Sequence, residues 1–201
     1  MSDFPIALHG ERITAVVVGG GSVGTRKALA LADAGTQVRV VSPVVTAELE
    51  EAERLHRIVI VRDVYRSAHL DRATLVVAAT DSREVNAQIA LDSNTRGKLV
   101  NITDHPDEGN FHTMAMHRSG DVTIAVTAGG VPGAAARIRD AIAERFDGRY
   151  ERAVSALRGL RLRLNAAGDD RWRAAAPTLI GDDFCRSVED GSITEKVDSW
   201  R

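Results

Sequence analysis

Residues 13–24 read ITAVVVGGGSVG. The β-branched run Ile13–Val18 suits a strand buried on both faces, as a parallel sheet requires. Glycines follow at once, with Gly19, Gly21 and Gly24 in the spacing G-x-G-x-x-G. That spacing means little alone and much between a strand and a helix, which is where it lies here. The first glycine permits a tight turn, the second lets a pyrophosphate approach the backbone, and the third lets helix and strand pack closely. The free N–H groups opening the next helix, predicted over Val23–Ala34 and stopped by Gly35, complete an anion site. A dinucleotide is the expected ligand.

Outward from this turn the chain alternates between two periods. Strands are predicted at Gln37–Ser42, ended by Pro43, then at Ile58–Arg62, Leu75–Ala79 and Leu99–Ile102. Helices are predicted at Thr46–Leu55, with Thr46 as N-cap, and from Asp81 or Ser82 to about Thr95. Strands separated by helices imply an α/β fold with a doubly wound, Rossmann-type parallel sheet. The carboxylate expected at the end of the second strand, about 20 positions after the glycines, is missing. Ser42, Pro43 and Val44 stand there, so this motif leaves NAD and NADP unresolved; Arg39 is the nearest cation on that strand.

After Ile102 the pattern changes. Asp104–Asn110 reads as a polar loop, Phe111–Met116 and Val122–Thr127 as short strands turning at Arg118–Asp121, and Ala134–Phe146 as a helix. From Arg149 two or three helices are expected, with breaks at Gly168 and Pro177. The resulting division is a dinucleotide-binding domain over 1–110, a small dimerisation and substrate region over 111–148, and a helical module with an acidic tail over 149–201.

The 201 residues are 44% apolar and 27% charged, with a net charge of −2. Such a chain can build a core, and its near-neutral charge argues against a nucleic-acid partner. No window suits a membrane span and no secretory leader is evident, so a cytoplasmic protein with no membrane partner is expected. The single cysteine, Cys185, excludes a disulfide framework and reads as a packing residue. Of the 26 basic residues, 23 are arginine. The guanidinium fork suits carboxylates and phosphates.

Beyond the glycine turn, VVAATDSREVN (Val76–Asn86), LVNITDHP (Leu99–Pro106) and NFHTMAMHRSGDVTIAVTAGG (Asn110–Gly130) complete a set that, with Arg26-Lys27, resembles the precorrin-2 dehydrogenases of siroheme synthesis. These occur alone or as the first part of siroheme synthases, and the resemblance covers about three-quarters of the chain. It implies oxidation of precorrin-2 to sirohydrochlorin with NAD as cofactor, in some members followed by insertion of ferrous iron, and a homodimer built on the middle region. It places the catalytic aspartate at Asp104 and nucleotide contacts at Ser22, Val23, Pro43 and Val44, beside Gly19, Gly21, Gly24 and Ser42. Thr80 and Asp81 end the fourth predicted strand, where such folds meet their cofactor.

Asp104 follows the carboxyl end of a predicted parallel strand, the edge where ligands bind. Removing a hydride from a reduced macrocycle leaves a cation that must shed a proton, and a carboxylate can stabilise that charge or take the proton. The plainer role for Asp104 is to cap the turn at His105-Pro106. Precorrin-2 is a polycarboxylate, so Arg118, Arg137 and Arg139 are the substrate candidates, with Arg145 and Arg149 further along and His105 and His112 beside them. His105, His112 and His117 show no standard metal-ligand spacing, and in one strand His112 and His117 would face opposite sides; no metal ligand is assigned. Departures from the family's pattern lie at Met114, where it has proline, at Thr127–Gly133, where it is serine-rich, and at Gly24, where it has alanine. Two rival readings are a non-enzymatic nucleotide-sensing module of the potassium-transport type, which shares the glycine turn and the ATDxxxVN stretch, and a chelatase or tetrapyrrole carrier without redox use.

Overall fold

The computed structural model describes residues 3–166 and 170–200. The chain divides into two compact units, 1–112 and 113–201. The expected first boundary falls two residues earlier, and the expected second one, at 148, falls inside the second unit.

The first unit is a five-stranded parallel sheet of β1 (Thr14–Val18), β2 (Gln37–Val41), β3 (Val59–Val61), β4 (Leu75–Ala78) and β5 (Leu99–Ile102). The strand order is β3-β2-β1-β4-β5. The chain therefore winds from β1 to one side and then crosses back to the other. The crevice between β1 and β4 is the switch point at which such sheets bind ligands, outside the strands' carboxyl ends.

Alternation along β1 explains why its sequence is apolar without interruption. Ala15 and Val17 face a layer containing Ala28 of α1 (Ser22–Asp33) and Leu49 and Ala52 of α2 (Ala47–Arg54). Val16 and Val18 face the opposite layer, with Ile89 and Ala90 of α3 (Arg83–Thr95). Each of these side chains is buried, and full burial of a valine contributes about 1.5–3 kcal/mol. Thr46 caps α2, its hydroxyl accepting from the Leu49 N–H, and Ser82 rather than Asp81 caps α3 in the same way through Val85. The outer edge of β5 is closed by the returning chain: Val100 N–H donates to Asn110 Oδ1 at 2.8 Å, and Asn110 N–H donates to Val100 O at 2.9 Å.

The second unit holds the antiparallel hairpin β6 (Ala115–Ser119) and β7 (Val122–Val126), then α4 (Pro132–Arg145), α5 (Gly148–Ala166), α6 (Arg171–Leu179), α7 (Phe184–Asp190) and α8 (Ile193–Asp198). Its core gathers Tyr150, Leu157 and Leu160 of α5 with Leu179, Val188 and Val197 of the later helices.

Three expectations are corrected here. The first hairpin strand begins at Ala115 and not Phe111, because Phe111 packs against the core of the first unit. The turn is the two-residue Gly120-Asp121, with Ser119 opposite Val122 and Gly120 at φ +55°, and not Arg118–Asp121. Four helices follow Asp147 among the described residues instead of two or three, and Pro177 lies inside α6 instead of breaking the chain. The break expected at Gly168 lies outside the described residues.

Candidate active site

Two loops meet at the switch point, one after β1 and one after β4. Gly19 adopts φ +112°, and a Cβ there would sit 2.2 Å from the Ala79 carbonyl oxygen. A Cβ on Gly24 would stand 2.0 Å from the Gly19 carbonyl oxygen, so the third glycine sets how closely α1 approaches the turn. The middle glycine, Gly21, has open space where its side chain would be, as a ligand-facing backbone needs. Gly20, which sequence reasoning passed over, is equally constrained: a Cβ would lie 2.3 Å from the Val44 carbonyl oxygen.

The loop after β2 is thus built against the glycine turn. Ser42 is buried and its hydroxyl donates to Val44 O at 2.6 Å. Its proton is committed within the loop, which leaves only its acceptor capacity for a ribose hydroxyl. Thr46 N–H donates to Gly20 O at 3.2 Å, and the Thr46 and Thr25 hydroxyls share a bond of 2.8 Å. Val44 is 78% exposed and Val23 also reaches solvent, which is the arrangement a flat apolar ring would cover. Pro43 and Ser22 are exposed beside them. Arg39 lies in the middle of β2, level with Val16 and Val59, and away from this edge. On α1, burial first and then the Arg26 charge push the Lys27 ammonium below its usual range.

At the end of β4 the geometry centres on Asn86, a fully buried residue in the first turn of α3 that the sequence reading left without a role. Its Oδ1 accepts from the Thr80 N–H at 3.2 Å and from the Thr80 hydroxyl at 2.7 Å. Its Nδ2 donates to Thr80 O at 3.0 Å and to Asp104 Oδ1 at 3.0 Å. Asp104 follows β5, with its other oxygen, Oδ2, 3.4 Å from His105 Nδ1 and its side chain 35% exposed. Burial pushes the Asp104 carboxyl up, but the Asn86 amide, its own backbone N–H and His105 outweigh burial and hold it below the usual aspartate range. A carboxylate that stays ionised and reaches solvent can accept a proton. Asp81 is exposed in the same loop.

The structure draws together Gly19, Gly21, Gly24, Thr80, Asp104 and His105 at one edge of the first sheet. It separates the three histidines: His112 lies 3.7 Å from Asp3, and His117 lies on β6 with its Nε2 2.6 Å from Phe146 O. Because His112 is outside the strand, the alternation argument for the pair does not apply. Among the described residues no three of His, Cys, Asp and Glu come together as a metal-binding group. Within the second unit, Arg118 lies on the exposed face of β6 and Arg137 is exposed on α4. Arg139 pairs with Asp140 at 2.6 Å, Arg145 with Glu189 at 2.6 Å and Arg149 with Asp147 at 3.0 Å.

Residues 6–115 match the model of a family described as putative NAD(P)-binding. The siroheme synthase of Chromobacterium violaceum is 32% identical over 199 residues, covering 98% of this chain and 41% of the relative. That of Thioalkalivibrio sulfidiphilus is 30% identical over 202 residues, covering 100% of this chain and 40% of the relative. The chain therefore spans about two-fifths of the length of these relatives. Among solved structures, SirC, a precorrin-2 dehydrogenase, superposes with a TM-score of 0.79 over 98% of this chain and 100% of its own, at 22% identity. That likeness shows the fold.

Proposed function

The chain belongs to the putative NAD(P)-binding family and has siroheme synthases among its relatives, and on that premise we propose that it is a precorrin-2 dehydrogenase. The observation that carries this reading is Asp104 held as a carboxylate beside the nucleotide edge by a buried amide. Precorrin-2 loses a hydride and a proton to become sirohydrochlorin. The glycine turn fits a dinucleotide, since Gly21 is open while Gly19, Gly20 and Gly24 have no room for a side chain. Bound NAD supplies the hydride acceptor.

The rest falls to the chain's own residues. Gly19–Gly24 and the first turn of α1 hold the pyrophosphate, Val23, Pro43 and Val44 cover the adenine end, and Thr80 and Asp81 border the nicotinamide end. NAD is preferred to NADP because Arg39 sits in mid-strand, and the nearer loop residues Ser42, Pro43 and Val44 carry no charge to meet a 2′-phosphate. Asp104 takes the proton at its carboxylate, and His105, at Oδ2, is placed to pass it to water. Arg118, Arg137 and Arg139, with His112, are proposed for the substrate carboxylates on their chemistry.

Iron insertion is the second step we assign to the same carboxylate. Two pyrrole protons leave the macrocycle as ferrous iron enters, and a solvent-reaching aspartate can accept them in turn. Region 111–148 is proposed to form the homodimer. Its hairpin leaves Met116 and Arg118 of β6 and Thr123 and Ala125 of β7 on an open face. No helix among the described residues is long and apolar enough to cross a membrane, and a nucleotide-dependent reduction–oxidation suits the cytoplasm. The siroheme synthase relatives favour this enzyme over a potassium-transport sensing module.

The test is an anaerobic spectroscopic assay of fresh precorrin-2 with NAD, with and without ferrous iron. Sirohydrochlorin forming only with NAD supports the dehydrogenase, and siroheme forming above background on adding iron supports the second step. No oxidation by protein shown to bind nucleotide refutes the proposal.

A further inference from the structure

Every hydrogen-bonding group of one fully buried side chain is spent on two residues of the proposed site. Asn86 clamps Thr80 on three sides, through its N–H, hydroxyl and carbonyl, and gives its remaining proton to Asp104 Oδ1. Thr80 is the residue assigned above to the nucleotide edge and Asp104 the one assigned to the substrate. Six and eighteen residues of chain separate them from Asn86, so the amide joins the loop after β4 to the loop after β5.

We propose that Asn86 is the positioning residue for Asp104, fixing the carboxylate's orientation relative to the nucleotide edge and leaving Oδ2, beside His105, as the oxygen that acts. This rests on the reading of Asp104 as the group that takes the proton. A buried amide has no water to turn to, so its donor stays on the carboxylate. It also keeps Asp104 from swinging into the turn at Pro106, the capping role open to an aspartate at that position. Of the titratable and charged groups on the surrounding elements, His105 faces Oδ2, Arg83 of α3 pairs with Glu108 of the Pro106–Glu108 turn, Glu84 accepts from Ser82, and Asp81 is exposed. Asn86 is therefore the partner of Asp104 that carries no charge at any pH, and His105 is its titratable neighbour.

The test begins with NMR of the whole protein, without nucleotide or substrate, following the Asp104 carboxyl carbon and the Asn86 side-chain NH2 across pH. The expected result is one common midpoint for both signals, with the Asn86 titration lost in Asp104→Asn. An Asn86 signal indifferent to Asp104 overturns the proposal. The isosteric Asn86→Asp then keeps the acceptor for the Thr80 N–H and hydroxyl, loses the donor to Thr80 O, and sets a like charge against Asp104 Oδ1. Its Asp104 midpoint should rise, with turnover at pH 5 falling about tenfold more than at pH 8. A folded Asn86→Asp with the parental midpoint overturns the proposal; if that variant does not fold, the titration of the parent decides alone. A parent that shows the shared midpoint and yet does not oxidise precorrin-2 refutes the dehydrogenase reading and leaves the positioning intact.

Discussion

Replacing Gly24 by alanine sets two effects of known sign against each other. Gly24 is in the first turn of α1, where alanine recovers about 0.5–1 kcal/mol of backbone entropy and helix preference. The new Cβ, however, would stand 2.0 Å from the Gly19 carbonyl oxygen. Relief needs a movement of about 1 Å, since ordinary carbon–oxygen contact begins above about 3 Å. Gly19 cannot supply it: its N–H is bonded to Val41 O at 3.0 Å, and its own Cα faces the Ala79 carbonyl. Helix α1 must therefore lift, which loosens buried Thr25 and Ala28. Overpacking of this kind costs about 1–3 kcal/mol, so at the middle of both ranges the clash wins by about 1 kcal/mol. In a unit of this size that lowers Tm by roughly 5 °C. The lifted helix also withdraws its N-terminal N–H groups from the pyrophosphate, and NAD should bind about tenfold more weakly. Thermal melting and NAD titration by calorimetry measure the two effects. A raised Tm with unchanged affinity would refute the reasoning, because propensity would then have outweighed contact. The family's alanine at this position, harmless by motif alone, is costly in this chain's geometry.

Asp104→Asn should fold and bind NAD but lose about 10²–10⁴-fold in turnover, the usual share of a general base, measured with precorrin-2 under anaerobic conditions. In the parent, the Asp104 carboxyl lies below its ordinary range, so the active carboxylate persists as pH falls past 5 and is lost only on titrating through that lowered value; a loss of kcat/KM traced to Asp104 between pH 6 and 7 would contradict this. Thr46→Ala removes the α2 cap and the bond to Thr25, and should cost about 1 kcal/mol by chemical denaturation, with a weaker hold on NAD. Leu160→Ala, at a fully buried position in α5, should destabilise the second unit by about 2–5 kcal/mol while nucleotide affinity in the first unit is kept. Loss of both together would show that the two units do not unfold separately.

The parallel sheet was legible because its signals are local. Ile13–Val18 announces burial on both faces, the glycines follow, and Thr46 and Ser82 are caps that need only their own next turn. The errors arise where a distant partner decides. Phe111–Met114 has the composition of a strand, but Phe111 is claimed by the core around β1 and β2, so the strand starts later. Pro177 reads as a breaker, yet α6 carries it in its final turn, two residues before the helix ends. Asn86 stood inside a quoted motif and still received no function, because its meaning lies in Thr80 and Asp104, which only folding brings to it. The same holds for Ser42, whose hydroxyl is engaged by a carbonyl two residues on.

The bonds that lock Ser42, Val44 and Thr46 to Gly20 and Thr25 bear on any attempt to redesign this protein for NADP. In other nucleotide-binding sheets of this kind an arginine near the end of the second strand accommodates the 2′-phosphate. Here the Val44 carbonyl walls off Gly20 and the Ser42 hydroxyl holds that carbonyl in place. An arginine at residue 42 would push on the phosphate turn before it met a phosphate. Cofactor preference and turn geometry are one inherited unit, and an exchange of one demands a matching change in the other.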